Sequence, residues 1–240
     1  MRPDVVGSGQ SDQKIIGDDG EIMLTKFRTV FVAVFLLLPV ASFGQTEGCG
    51  DPSRRDGGGY GPYDYTNPTH FRDKLPIVND YHFNARVENL VGGNKEESSH
   101  PGGDLNYVLM AFPNHHRALA AMMRLSWKEN RLKPIGSHFS VECWLDRAVR
   151  WRPEDGVARM LYGNYLANDR IKRYKEAIPH YDLAEQRLKN NSNLFYNIGL
   201  LHFHMKDYDK SREYAKKAYA RGFPLPGQRQ MLVRVGKWEG

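Results

Sequence analysis

The chain has 240 residues, room for one domain with flanking segments or for two small domains, and its 40% apolar and 12% aromatic content are ordinary globular values. The formal charge of +6 lies in the C-terminal third: residues 154–240 hold 16 Lys or Arg against 10 Asp or Glu, whereas residues 45–153 hold 14 against 13. No basic run with interleaved aromatics accompanies the surplus, which sets nucleic acid aside and leaves a solvated basic face or attraction to an acidic protein, an anionic lipid or a polyanion.

In chain order, residues 1–22 are polar and featureless, and Met23 stands where an export signal normally begins, so 1–22 is read as a dispensable extension. Lys26 and Arg28 precede the apolar run Val30–Leu38, which is followed by Pro39 and small residues up to Gly44. Counted on to Ala41 the stretch is about 12 residues, short of the roughly 20 a spanning helix needs. A charged start, a short apolar centre and small residues near a cut make 23–44 a secretory signal, with maturation at Gln45 or a cut after Ser42, and a periplasmic or secreted product that keeps no stable membrane span. The rival is an uncleaved N-terminal anchor. Two cysteines remain, Cys49 and Cys143. In an oxidising compartment they either pair, pinning the N-terminal arm to a helix, or stay as one free and one buried thiol.

Residues 45–113 read as an irregular arm. The Gly- and Pro-rich stretch from Gly48 to Tyr63 is a loop, laid over the domain by Tyr60, Tyr63 and Tyr65. Phe83, Val87, Leu90 and Val91 have helical spacing, so one short helix is expected near 84–91, stopped by Gly92-Gly93. Residues 94–103 read as a polar loop. From Asn114, placed to cap a helix opening at His115, helical periodicity runs to the end. Helices are expected to Trp127, over Ser137–Arg152, Glu154–Ala167, Tyr174–Lys189, Asn193–Met205, Tyr208–Arg221 and Arg229–Val235. No stretch alternates with strand period, so 114–240 is an all-α domain.

The last helix pairs repeat. Ala177, Tyr181 and Ala184 stand 34 residues before Ser211, Ala215 and Ala218, and Gly163 stands 36 before Gly199. Phe195, Ile198, Gly199 and His202 occupy the W-x2-L-G-x2-Y positions, as do Arg159, Tyr162, Gly163 and Leu166 one copy earlier. A degenerate first copy keeps Val141, Leu145, Ala148 and Pro153. In these residues the chain resembles tetratricopeptide repeat proteins. Ala111–Leu119 and Gly222–Gly227 are similar to segments of bacterial exported proteins of that kind. The resemblance implies a short right-handed superhelical stack of helix pairs, about two clear repeats and a capping helix, preceded by the irregular arm. It also implies that the first helix of each pair lines a partner-binding face. That face would carry Met160, Asn164, Asn193, Tyr196, Leu200 and Phe203, with His204 at its edge. Asn164 and Tyr196 would bond a peptide backbone, and Leu200 and Phe203 would receive an apolar side chain. The lysines that clamp a terminal carboxylate in some relatives are absent.

No chemistry competes with this reading. His115-His116 and His202/His204 are spaced badly for one metal, there is no H-E-x-x-H or Cys pair at zinc spacing, no phosphate loop and no G-x-S-x-G elbow. The expectation is a protein- or peptide-binding adapter of the bacterial envelope, not an enzyme, with no cofactor. The alternative is a regulatory or enzymatic role in residues 68–113, with the repeats as its docking scaffold.

Overall fold

The computed structural model describes residues 48–54 and 59–238, and the extension and export signal read over residues 1–44 lie outside the described residues. Every regular element among the described residues is helical. The order is α1 (Pro68–Asp73), α2 (Leu75–His82), α3 (Ala85–Glu88), α4 (Pro101–Ala111), α5 (His116–Glu129), α6 (Val141–Trp151), α7 (Gly156–Ala167), α8 (Tyr174–Arg187), α9 (Ser192–His204), α10 (Tyr208–Ala220) and α11 (Gly227–Arg234).

From α5 onward the helices match the periodicity, and short polar side chains cap α6, α7, α9 and α10 where the pattern begins, whereas α8 and α11 have no side-chain cap. Ser140 accepts from the Cys143 N–H, Asp155 from Val157 and Ala158, Asn191 from Leu194, and Asp207 from Lys210. Asn114 does not cap α5. The cap is His115, whose Nδ1 accepts from the Ala118 N–H at 3.1 Å.

The segment expected as an irregular arm differs more. It holds four helices, and α4 covers ground read as a polar loop. The apolar faces of α2, α3 and α4 are core, with Val78, Phe83, Val87, Leu105, Val108, Leu109 and Phe112 all buried in one cluster with α5–α9, whereas α1 buries no residue. The arm before α1 closes over that cluster. Tyr63 N–H donates to the Ala111 carbonyl at 2.8 Å, where the chain passes so close that a Cβ on Gly61 would stand 2.9 Å from the Ala111 Cα. Gly61 has φ +102°, so both space and backbone require glycine there.

The cysteines pair. Cys49 and Cys143 are joined across 94 residues, tying the arm to α6. Buried Arg147, one turn along α6, donates to the Cys49 carbonyl at 2.9 Å and lies over the Phe139 ring, and Arg150 donates to the Gly50 carbonyl. A cross-link closing so long a loop contributes about 2–4 kcal/mol by restricting the unfolded chain.

A buried polar cluster ties three turns together. Asn114 Nδ2 donates to Asp64 Oδ1 and to Asp155 Oδ2, both at 2.9 Å, and Asn114 Oδ1 accepts from the Tyr65 N–H. Arg152 closes on Asp64 at 2.6 Å and His116 Nε2 on Asp155 at 2.8 Å. The arm, the α4–α5 turn and the α6–α7 turn therefore share one set of hydrogen bonds.

α7 packs along α8, and α9 along α10, as two hairpins, while α5, α7 and α9 touch in succession. The aligned glycines sit at helix contacts with different partners. A Cβ on Gly163 would stand 2.7 Å from the Tyr181 ring of α8. On Gly199 it would fall inside the side chain of Gln228 from α11. Ala215 replaces the aromatic in the second hairpin, and buried Gln228 fills the space left, donating to Ser211. Gly163→Ala tests this packing. Tyr181 is buried and its hydroxyl is committed to Asn164, so the ring has little room to retreat. Overpacking costs about 1–3 kcal/mol, and relief of the glycine helix penalty returns about 0.8–1 kcal/mol. A net loss of up to about 2 kcal/mol is expected in urea denaturation, and a stabilised variant would show that the contact is loose.

Candidate functional site

Where α5, α7 and α9 meet, a cavity of about 300 Å³ opens to solvent, lined by Trp127, Asn164, Ala167, Asn168, Asp169, Tyr181, Asn197, Leu200, Leu201 and His204. Its polar floor is an asparagine pair. Asn164 Oδ1 accepts from the Tyr181 hydroxyl and from Asn197 Nδ2, each at 2.9 Å. Burial pushes the Tyr181 phenol well above its ordinary pKa, so it remains a proton donor and orients Asn164. Both oxygen contacts of Asn164 being used, its Nδ2 keeps its two protons, and Asn197 keeps its Oδ1. Neither atom has a partner among the described residues. The two exposed functions are thus a donor and an acceptor side by side, which match the C=O and N–H of a peptide backbone. Leu200, Leu201, Ala167 and Trp127 supply apolar wall, and the His204 ring stacks on Tyr174 at the rim.

The structure brings together two of the six residues expected on this face. Asn164 and Leu200 line the groove. Met160 packs half-buried against the core, and Asn193 is exposed, away from the lining. Tyr196 lies outside the lining and stacks on Phe223, with ring centroids 4.0 Å apart. Phe203 lies edge-on to Tyr208. The sequence reading missed Asn197, although it lies between Phe195 and Ile198 of the aligned motif.

Among the described residues no helix is long and apolar enough to cross a membrane, and no three His, Cys, Asp or Glu side chains are grouped to hold a metal ion. No protein-family model, no curated protein and no solved structure matches this chain.

Proposed function

We propose that this chain is an exported, non-catalytic adapter that binds an extended peptide segment of another protein in the groove of tetratricopeptide-type helix pairs between α5, α7 and α9. The Asn164–Asn197 pair carries the reading. An amide held by two hydrogen bonds, with a donor and an acceptor left over at the floor of an open groove, reads peptide backbone irrespective of side chains. The apolar wall beside it then selects one residue of the ligand. The 34-residue offset of small residues supports the repeat type, and the Cys49–Cys143 disulfide supports an oxidising compartment.

A phage-displayed library of random linear peptides, selected on the immobilised full chain, tests this. Wild type should enrich related sequences whose synthetic versions bind in isothermal titration. Asn164→Ala combined with Asn197→Ala removes about two hydrogen bonds at about 1 kcal/mol each, so binding should weaken at least about tenfold. Asn164→Ala leaves the buried Tyr181 hydroxyl without its acceptor, so the melting temperature of the double variant should fall by a few degrees, and binding is compared where circular dichroism shows both proteins folded. Equal enrichment on the double variant would reject the groove.

A further inference from the structure

The basic surplus is concentrated at one end of the fold. Residues 207–238 hold eight Lys or Arg and three Asp or Glu, a net of +5 in a chain whose total is +6. A second cavity of about 320 Å³ opens there, between the end of α10, the turn after it and Trp238. Tyr219, Phe223, Pro224, Pro226 and Trp238 form its apolar walls, and Lys216 and Arg229 stand at its rim. Both cations lie over the Trp238 indole, with Lys216 Nζ at 5.9 Å and the Arg229 guanidinium at 5.5 Å from the ring centroid. Neither has a carboxylate within ion-pair distance among the described residues. The indole N–H of Trp238 is buried and donates to nothing among them. The Tyr219 hydroxyl accepts from the Arg229 backbone N–H at 3.1 Å, which leaves its own proton to donate. An ammonium, a guanidinium and a phenol O–H, all donors, therefore line one cleft beside the Trp238 ring, with no acidic group among the lining residues. Leu225, between the two prolines, stays exposed, as do Val233 and Val235 of the same end.

We infer that this cleft is a second docking site, separate from the asparagine groove, for an acidic segment of a partner protein. Side-chain carboxylates of that segment meet Lys216 and Arg229, and an adjacent apolar residue packs on Phe223, Pro224 and Pro226. Charge complementarity selects the class of ligand, since a convergent set of donors over aromatic walls pairs carboxylates and covers apolar surface together. A basic face alone would attract any anion. The apolar walls add the requirement for a hydrophobic neighbour, which a simple counterion lacks.

The test uses a fluorescein-labelled peptide, Asp-Glu-Asp-Leu-Trp-Asp-Glu, titrated with the full chain at physiological salt and read by anisotropy. Lys216→Glu with Arg229→Glu should weaken binding at least tenfold. Both side chains are exposed, so the fold should persist, checked by an unchanged circular dichroism melt. Lys175→Glu with Lys189→Glu, which makes the same change of net charge elsewhere, should weaken binding less than twofold. Replacing Leu-Trp in the peptide by Ser-Ser should weaken it at least threefold. Equal loss in the control pair would reduce the effect to a general field and overturn the site, as would indifference to the Ser-Ser change or no binding by wild type. Tighter binding to phosphatidylglycerol vesicles, abolished by the same two substitutions, would assign the cleft to a membrane surface and overturn the peptide reading. Asn164→Ala with Asn197→Ala should leave this titration unchanged, so the two sites fail or stand separately.

Discussion

Replacing Asp155 with Ala is expected to destabilise the fold by about 3–5 kcal/mol in urea denaturation, the largest effect of any single change outside the disulfide and the apolar core. The Asp155 carboxylate is 2% exposed. It accepts from the Val157 and Ala158 N–H groups that open α7, and loss of such a cap alone costs about 0.5–2 kcal/mol. It also takes hydrogen bonds from Asn114 and His116; the buried Asn114 amide would lose one of its two acceptors, at about 1–3 kcal/mol for a buried group, while the partly exposed His116 ring can turn to water. His116 and the caps hold the Asp155 carboxyl below its usual range against the opposing effect of burial, so it is ionised in the fold. Asp155→Asn separates the parts. Its amide oxygen can still cap α7, but its NH2 faces the Asn114 NH2 or the His116 ring, so a loss between those of wild type and the Ala variant is expected. A cost below 1 kcal/mol for Asp155→Ala would mean that the cluster around Asn114 is decorative, and that the arm is held by Cys49–Cys143 and apolar burial alone.

That cluster also marks where the sequence stops being legible. From α5 to α11 the apolar spacing and the caps agree, so helices were readable to within a few residues. The N-terminal third was not, because its helix starts look like turns. Asn67-Pro68 is a cap followed by proline at the first helical position, a start signal that α1 obeys and that could have been read. Pro101-Gly102-Gly103 reads as loop, yet it opens α4. A Cβ on Gly102 would fall inside the Ile135 carbonyl, so this glycine answers a close approach from a distant loop rather than a local bend. Only long-range geometry reveals such a reason. The groove shows the same limit. Asn164 and Leu200 were readable from the repeat register, but the face of α9 that lines the cavity is Asn197, Leu200, Leu201 and His204. The expected face, through Asn193, Tyr196, Leu200 and Phe203, is turned away by roughly 70° at about 100° per residue. Phe223 accounts for the difference. It folds back from the turn after α10 and captures Tyr196, a contact that depends on a chain reversal the local pattern does not encode. Asn114, His116, Asp64 and Asp155 are equally opaque one by one, since the bonds that join them into one cluster run between partners 39 to 88 residues apart.

Stability should fall as pH drops below about 6.5, well before carboxylates titrate. His115 is 1% exposed, enclosed by the Tyr65, Phe83 and Phe112 rings, with Nδ1 taken by the Ala118 N–H and Nε2 unpartnered. Burial, together with the neighbouring charges of His116 and Arg117, lowers its pKa from 6.5 to about 3. His180, against the Tyr162 ring, is lowered by burial and by Arg159 to about 4, with Glu176 opposing. Both imidazoles are neutral in the fold and take a proton in the unfolded chain below 6.5. Their contribution is therefore complete above that pH and is lost as pH falls towards the folded values, jointly down to about 4 and through His115 alone down to about 3. At about 1.4 kcal/mol per proton per pH unit, up to about 2 kcal/mol should disappear between pH 6 and pH 5. Asp64 acts later: Arg152, Thr66 and Asn114 overcome its burial and lower it to about 2, so its share is present above 3.8 and lost below that. Urea denaturation from pH 7.5 to 4.5 reads the histidine window directly. His115→Asn, which can still cap α5, combined with His180→Phe, which can still pack on Tyr162, should flatten the curve above pH 4.5. An unchanged slope in that double variant would move the acid sensitivity to other groups, and a flat wild-type curve between pH 7 and 5 would show that both rings reach water.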